Sequence, residues 1–113
     1  MAEPVDSVES EIRGACDQAN YERAATLIVE RYGPEILGFL VAWLDHREQA
    51  NEAFSSFTKD LWVGLPAFRW RCSARGWAYT LARNAARRHT KRARRWRPRA
   101  SLEGVALSAR RRT

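Results

Sequence analysis

The chain has 113 residues, which is room for one domain with one hydrophobic core. Only 6 Gly and 4 Pro are present, too few turn formers for a short-strand sandwich or barrel, so the fold class read from the sequence is all-α. The formal charge of +7 is unevenly placed: residues 1–66 hold twelve acids and five bases, and residues 67–113 hold fifteen bases and one acid, Glu103. Such a division draws a polyanion to one half of the molecule and points to nucleic acid.

In chain order, Asp6 followed by Glu9 has the character of a capping box and opens a short acidic helix ending near Asn20. Its apolar surface is small, so it is expected to be loosely held. Tyr21, Ala24, Ala25, Ile28, Val29 and Tyr32 then recur at the spacing of one buried helical stripe. Gly33-Pro34 breaks that helix, and Pro34 sits in the first turn of the next, where its missing N–H would be unpaired anyway. The next helix carries Ile36, Phe39, Leu40, Trp43 and Leu44, widened by Leu37 and Val41 until it is apolar nearly all round, which marks it as central. Another amphipathic run, with Ala50, Ala53, Phe54, Phe57, Leu61 and Trp62, closes at Gly64 and Pro66. Size alone accounts for Trp43 and Trp62 as structural residues. Ser73 is the N-cap of a last helix reaching about Arg95, with Trp77, Ala78, Leu81, Ala82 and Ala85 inward. Trp96 and Pro98 end it, and residues 97–113 are expected to be a disordered basic tail. The expected architecture is a small bundle of four to five helices.

The residues that carry chemistry sit in the basic half. Phe68-Arg69-Trp70-Arg71 mixes rings with cations in a loop, and Trp77 and Tyr79 follow at the start of the last helix. Arg83, Asn84, Arg87, Arg88 and Lys91 then fall on one exposed helical face. Single-stranded DNA is held by bases stacking on rings while cations track its phosphates, and both groups are present. Stacking is worth about 1–3 kcal/mol per base, comparable with the cost of unstacking one, so two or three rings suffice to hold a base outside the duplex. No acid lies within reach of these cations to balance them, which favours an absent anionic partner over a merely solvated face. Trp77 shares a face with the inward alanines and reads as core, whereas Phe68 and Trp70 are free to face either way.

Other chemistries find little support. His46 and His89 are isolated, no nucleophile has an evident base and orienting acid, and no glycine loop cradles a phosphate, so neither catalysis nor a cofactor is expected. Cys16 and Cys72 lack the spacing of metal ligands. The acids Glu3, Asp6, Glu9 and Glu11 argue against an export leader, and the apolar stretch Ile36 to Leu44 is less than half a membrane span, so a cytoplasmic protein without a membrane partner is expected.

Residues 68–92 read Phe-Arg-Trp-Arg-Cys-Ser-Ala-Arg-Gly-Trp-Ala-Tyr-Thr-Leu-Ala-Arg-Asn-Ala-Ala-Arg-Arg-His-Thr-Lys-Arg. This segment resembles region 2.3–2.4 of extracytoplasmic-function sigma factors, typically F-R-x-x-S-S-F-R-T-W-L-Y-x-I-A-R-N-x-A-x-D-x-x-R. Phe68, Arg69, Ser73, Arg75, Trp77, Tyr79, Ala82, Arg83, Asn84, Ala86 and Arg92 fit that pattern. Tyr32-Gly33-Pro34 and the helix after it resemble region 2.1, and Gln49 to Trp62 occupies the place of region 2.2, where Ala50, Glu52 (standing for an Asp), Leu61 and Trp62 fit. The resemblance covers roughly residues 21–95 and divides the chain into an acidic N-terminal helix (1–20), a region 2 domain (21–96) and a basic linker (97–113).

The resemblance implies a helical domain that docks on the clamp helices of the largest subunit of core RNA polymerase, through Gln49, Asn51, Glu52, Ser55, Ser56, Lys59 and Trp62. It also implies capture of the single-stranded minus-ten non-template strand of promoter DNA, with a base flipped into a pocket at residues 65–72 and neighbours read by the helix of Asn84. An anti-sigma factor is a further partner of this family. Departures are visible: Gln49, Asn51, Ser55 and Ser56 make the docking surface less charged than usual, Ala74 replaces a common Phe, and Arg88 replaces a common Asp. Residues 97–113 read as the start of an inter-domain linker, with no region 4 after it. Two rivals stay open at this level: an interaction-only protein that occupies the clamp or an anti-sigma factor, and a generic basic nucleic-acid binder.

Overall fold

A computed structural model describes residues 4–96 of the chain, with side chains described over 7–90. Four helices follow one another: α1 (Pro4–Asp17), α2 (Tyr21–Leu44), α3 (Arg47–Gly64) and, after a 3₁₀ turn at Leu65–Ala67, α4 (Ala74–Trp96). There is no strand among the described residues, and the all-α expectation holds. The expected basic tail lies outside the described residues.

The helix boundary placed at Gly33-Pro34 is wrong. The α2 helix runs through Pro34 without a break. A proline inside a helix forfeits one backbone hydrogen bond and costs about 3 kcal/mol, so something must outweigh it. The apolar stripe does: Ala24, Ile28, Tyr32, Ile36 and Leu40 are all fully buried and keep the same four-residue step on both sides of Pro34. Two separate helices would bury that stripe less well. Pro34 itself is exposed, so its ring has no neighbour to displace. At Gly33 the Phe54 ring lies 3.5 Å from where a Cβ would stand, an ordinary contact on the buried side.

The ends of the helices are capped locally. The Asn20 side chain accepts from Arg23 N–H, the His46 ring nitrogen faces Gln49 N–H at 3.5 Å, and Ser73 Oγ accepts from Gly76 N–H at 3.0 Å. Ser73 thus has the role expected of it, and His46, taken as isolated, marks the start of α3. Leftward backbone at Ala19 and Asp45 turns the chain between α1, α2 and α3.

The core is built from the stripe on α2, from Ala50, Ala53, Phe57 and Leu61 on α3, and from Ala74, Ala78, Ala82, Ala85 and Ala86 on α4. Alanine is the smallest side chain that still favours a helix, so α4 lies close against both α2 and α3. Leu81, expected inward, is half-buried.

Contrary to expectation, α1 is well anchored. Ile12 is fully buried and Ala15 nearly so. Glu9 does not form a capping box, because α1 begins at Pro4 and Glu9 lies beyond its first turn. Its carboxylate instead accepts from the Tyr32 hydroxyl at 2.5 Å, from Ala74 N–H at 2.7 Å and from Arg75 N–H at 3.1 Å. It therefore caps α4 from a distance of 65 residues in sequence. Burial, and then the bond to Glu9, push the Tyr32 hydroxyl well above its ordinary pKa.

A second tie joins α2 to α4. The Arg75 guanidinium donates to both oxygens of Glu35, at 3.2 and 2.7 Å, and the Tyr79 hydroxyl donates to the same carboxylate at 2.9 Å. The bond from Arg75 is the main reason that the Glu35 carboxyl sits below its usual pKa.

Two measurements check these ties. Glu9→Ala is expected to lower the unfolding free energy by about 2 kcal/mol in urea denaturation, a loss smaller for Glu9→Gln, which keeps one acceptor oxygen. A change in Glu9→Ala within experimental error would show that α4 is capped by solvent. Because the folded Glu35 carboxyl is depressed, its contribution is present above the unfolded value of about 4.3 and is lost as pH falls through the folded one. Stability of the wild type is therefore expected to fall more steeply on acidification below about pH 4 than that of Glu35→Gln. Parallel pH profiles for the two would remove Glu35 from the account.

Candidate nucleic-acid interface

The loop between α3 and α4 is held in shape by rings. Leu65 is buried, which roots the 3₁₀ turn in the core. Phe68 then stacks on Trp77 with centroids 4.4 Å apart and planes within 10°, and it meets Trp70 at 4.8 Å. All three rings are half-buried, neither core nor free. Trp70 has φ 57°, a left-handed backbone that a bulky residue adopts at a cost of about 1–2 kcal/mol, so its contacts must hold it there. Gly64 leaves room on the other side of the stack: a Cβ there would stand 3.0 Å from Trp77 Cζ2, a contact to which the ring would have to yield by a few tenths of an ångström.

Against the Phe68–Trp77 pair lies an open cleft of roughly 590 Å³, lined also by Leu81 and Cys72 and by the exposed Arg69 and Arg71. Its apolar walls flanked by cations match the two faces of a nucleotide, a flat base and a charged phosphate.

The outer face of α4 continues from this cleft. Arg83, Asn84 and Arg87 are exposed, and no acid among the described residues pairs with either arginine. Arg88 differs. It donates to Asp60 on α3 at 2.6 Å, so the expectation that no acid balances this face fails at that position: Asp60 is 28 residues away in sequence and adjacent in the fold. Lys91 belongs to α4, with its side chain outside the described residues. Tyr79 lies two residues from Trp77 and so on the opposite side of the helix. Its hydroxyl is bound to Glu35 and its ring meets the Phe39 edge at 5.4 Å, away from the cleft. Trp77, read as core, forms half of the cleft's stacked pair.

The residues expected on the docking surface fall mostly together. Asn51, Glu52, Ser55, Lys59 and Trp62 are exposed along one face of α3. Gln49 and Ser56 are half-buried, and Ser56 meets His89 of α4. Trp62 is 51% exposed and Trp43 40%, which corrects the reading of both as structural: each sits at the end of a helix, where the bundle no longer covers its stripe. Val63 was missed. It is 72% exposed beside Trp62, off the helical stripe, and that misplacement in the periodicity was its one signal. Next to Trp62 an apolar groove of roughly 320 Å³ runs between α2 and α3, lined by Ala25, Val29 and Leu61 among others.

His89 is also less isolated than it reads. Its Nε2 lies 3.2 Å from Ser56 Oγ, and its Nδ1 lies 4.0 Å from Glu52 Oε1. The order serine, histidine, acid suggests a hydrolytic triad, but 4.0 Å is too long for the hydrogen bond that would orient the ring. The contact joins α3 to α4. Among the described residues no group of three metal-ligating side chains occurs, Cys16 and Cys72 are free thiols, and no helix is long and apolar enough to cross a membrane.

The sigma-70 region 2 family matches residues 28–96, more than half of the chain, and the match takes in the α2 stripe from Ile28 onward, the α3 face, the ring loop and α4. Neither the curated proteins nor the solved structures gave a match. The chain belongs to the sigma-70 region 2 family, the non-enzymatic part of sigma factors that binds RNA polymerase and serves in promoter melting.

Proposed function

We propose that this domain is of the extracytoplasmic-function type and captures one unpaired base of the minus-ten non-template strand in the cleft beside Phe68 and Trp77. The observation that carries the reading is the juxtaposition of a stacked pair of rings with unpaired arginines at the mouth of an exposed Arg83–Asn84–Arg87 face. Rings supply base stacking, Arg69, Arg71, Arg83 and Arg87 supply phosphate contacts, and Asn84 offers a donor and an acceptor to a neighbouring base edge. The exposed face of α3, ending in Trp62 and Val63, is the surface offered to the clamp helices of core polymerase, or to an anti-sigma factor in its place. The protein works in the cytoplasm, and residues 21–96 are its region 2 domain. Arg88, already committed to Asp60, contributes less to DNA than its neighbours do.

The decisive experiment is run-off transcription with core polymerase and a library of promoters. The wild type is expected to select a subset of minus-ten sequences, and Phe68→Ala, Trp70→Ala and Asn84→Ala together to abolish that activity. Transcription that survives the triple substitution sinks the capture site. Pull-down of core polymerase separates this reading from that of a generic basic binder, which would retain DNA without it.

Salt dependence tests the phosphate contacts. With four free arginines engaged, affinity for single-stranded DNA is expected to fall with the logarithm of salt concentration at a slope of roughly −3. Arg87→Ala is expected to reduce that slope by about 0.7, and Arg88→Ala by less. A slope that is flat in the wild type leaves the arginines as solvating groups.

A further inference from the structure

The matched family segment begins at residue 28, so α1 lies outside it, yet α1 holds the ring loop and its exit through Glu9, Arg13 and Cys16, the last a hydrogen-bond partner of Trp70. Beyond the loop's exit, Glu9 holds the N–H groups of Ala74 and Arg75. One turn along α1, the Arg13 guanidinium carbon lies 5.4 Å from the centre of the Trp70 ring. Residues 9 and 13 are four apart and share one helical face, so a single rigid helix fixes the distance between the two grips.

Arg13 is exposed and has no ion pair among the described residues. Its guanidinium is not needed to close the core, since the side chains that seal α1 are Ile12 and Ala15. The one described partner of that charge is an aromatic face, which attracts a cation through its quadrupole. Trp70 in turn is the loop residue that most needs holding, because its left-handed backbone is unfavourable for a large side chain. The other ring it touches is Phe68, and Phe68 is the ring stacked on Trp77 at the cleft. A chain of contacts therefore runs from α1 through Trp70 to the stacked pair.

We infer that Arg13 is a positioning residue for base capture: it acts through Trp70, keeping that ring against Phe68 so that the Phe68–Trp77 pair is set before a base arrives. This rests on the proposed capture of an unpaired base at the same cleft. The first helix then belongs to the DNA-reading apparatus, although it presents no expected DNA contact of its own.

The test uses the full chain with Arg13→Ala and Arg13→Lys. The probe is the single-stranded minus-ten strand selected in the run-off experiment, and the same strand carrying an abasic site at each position in turn. Wild type is expected to lose affinity sharply at one position, that of the captured base. In Arg13→Ala the ratio between intact and abasic strands at that position narrows about fivefold, with salt slope and melting temperature unchanged. Arg13→Lys, which keeps a cation over the ring, restores most of the ratio. Near-UV circular dichroism adds a readout in the absence of DNA: the Trp70 band, isolated as the difference from Trp70→Phe, changes in Arg13→Ala while the far-UV spectrum does not. A variant that weakens every strand equally and loses about 0.7 of the salt slope overturns the inference in favour of a direct phosphate contact. A variant that discriminates as well as wild type overturns it outright. If wild type itself ignores the abasic sites, base capture fails and the inference falls with it.

Discussion

One carboxylate holds three of the four helices in register. Glu9 projects from α1, satisfies the hydroxyl of a fully buried tyrosine on α2, and accepts from two N–H groups in the first turn of α4. The Tyr32 hydroxyl and the Ala74 N–H would otherwise be unpaired polar groups at a packed junction, where the cost of leaving one unmade exceeds the gain from making it. The first turn of a helix also carries partial positive charge, so an anion is the favoured partner there. Because α4 starts where this carboxylate sits, the exit of the ring loop is fixed by the same atoms that fix the helix.

The division of charge along the chain has a structural counterpart in α4. Five alanines give this helix a narrow, flat inner face that packs close without bulk, which leaves the rest of its circumference free. Arginines occupy that remainder. Their mutual repulsion would disfavour an isolated helix, but tertiary packing supplies most of the stability of helices in proteins. Asp60 pairs with one arginine of the set, and Arg83 and Arg87 have no acidic partner among the described residues.

Much of this was legible in the sequence because it is local. Stripes at helical spacing located α2, α3 and α4, and Ser73 announced the start of the last helix. The loop chemistry of Phe68 to Arg71 was visible from residue types alone. What escaped was either long-range or a matter of which rule prevails. Glu9 reads as the cap of its own helix because a linear pattern cannot show a partner 65 residues away. The Arg88–Asp60 pair and the His89–Ser56 contact escaped for the same reason. Pro34 is different: the local signal was strong and correct in kind, yet the unbroken phase of the buried stripe across it was the better guide. Trp43 and Trp62 were read from size, which says how much area a ring can bury and nothing of whether a neighbour is there to cover it. Tyr79 and Trp77 lie on opposite sides of α4, and only the packing of that helix decides which ring borders the cleft and which meets Glu35.

Gly64 has a consequence for how the cleft can vary. Its missing side chain and the indole at position 77 occupy one shared space, with 3.0 Å between the ring and the first atom any other residue would add. The two positions thus share one space: a methyl group at the end of α3 presses the ring at the start of α4 aside by a few tenths of an ångström. The width of the slot on this side is therefore set jointly by both ends of the loop, and bulk added at one end is felt at the other.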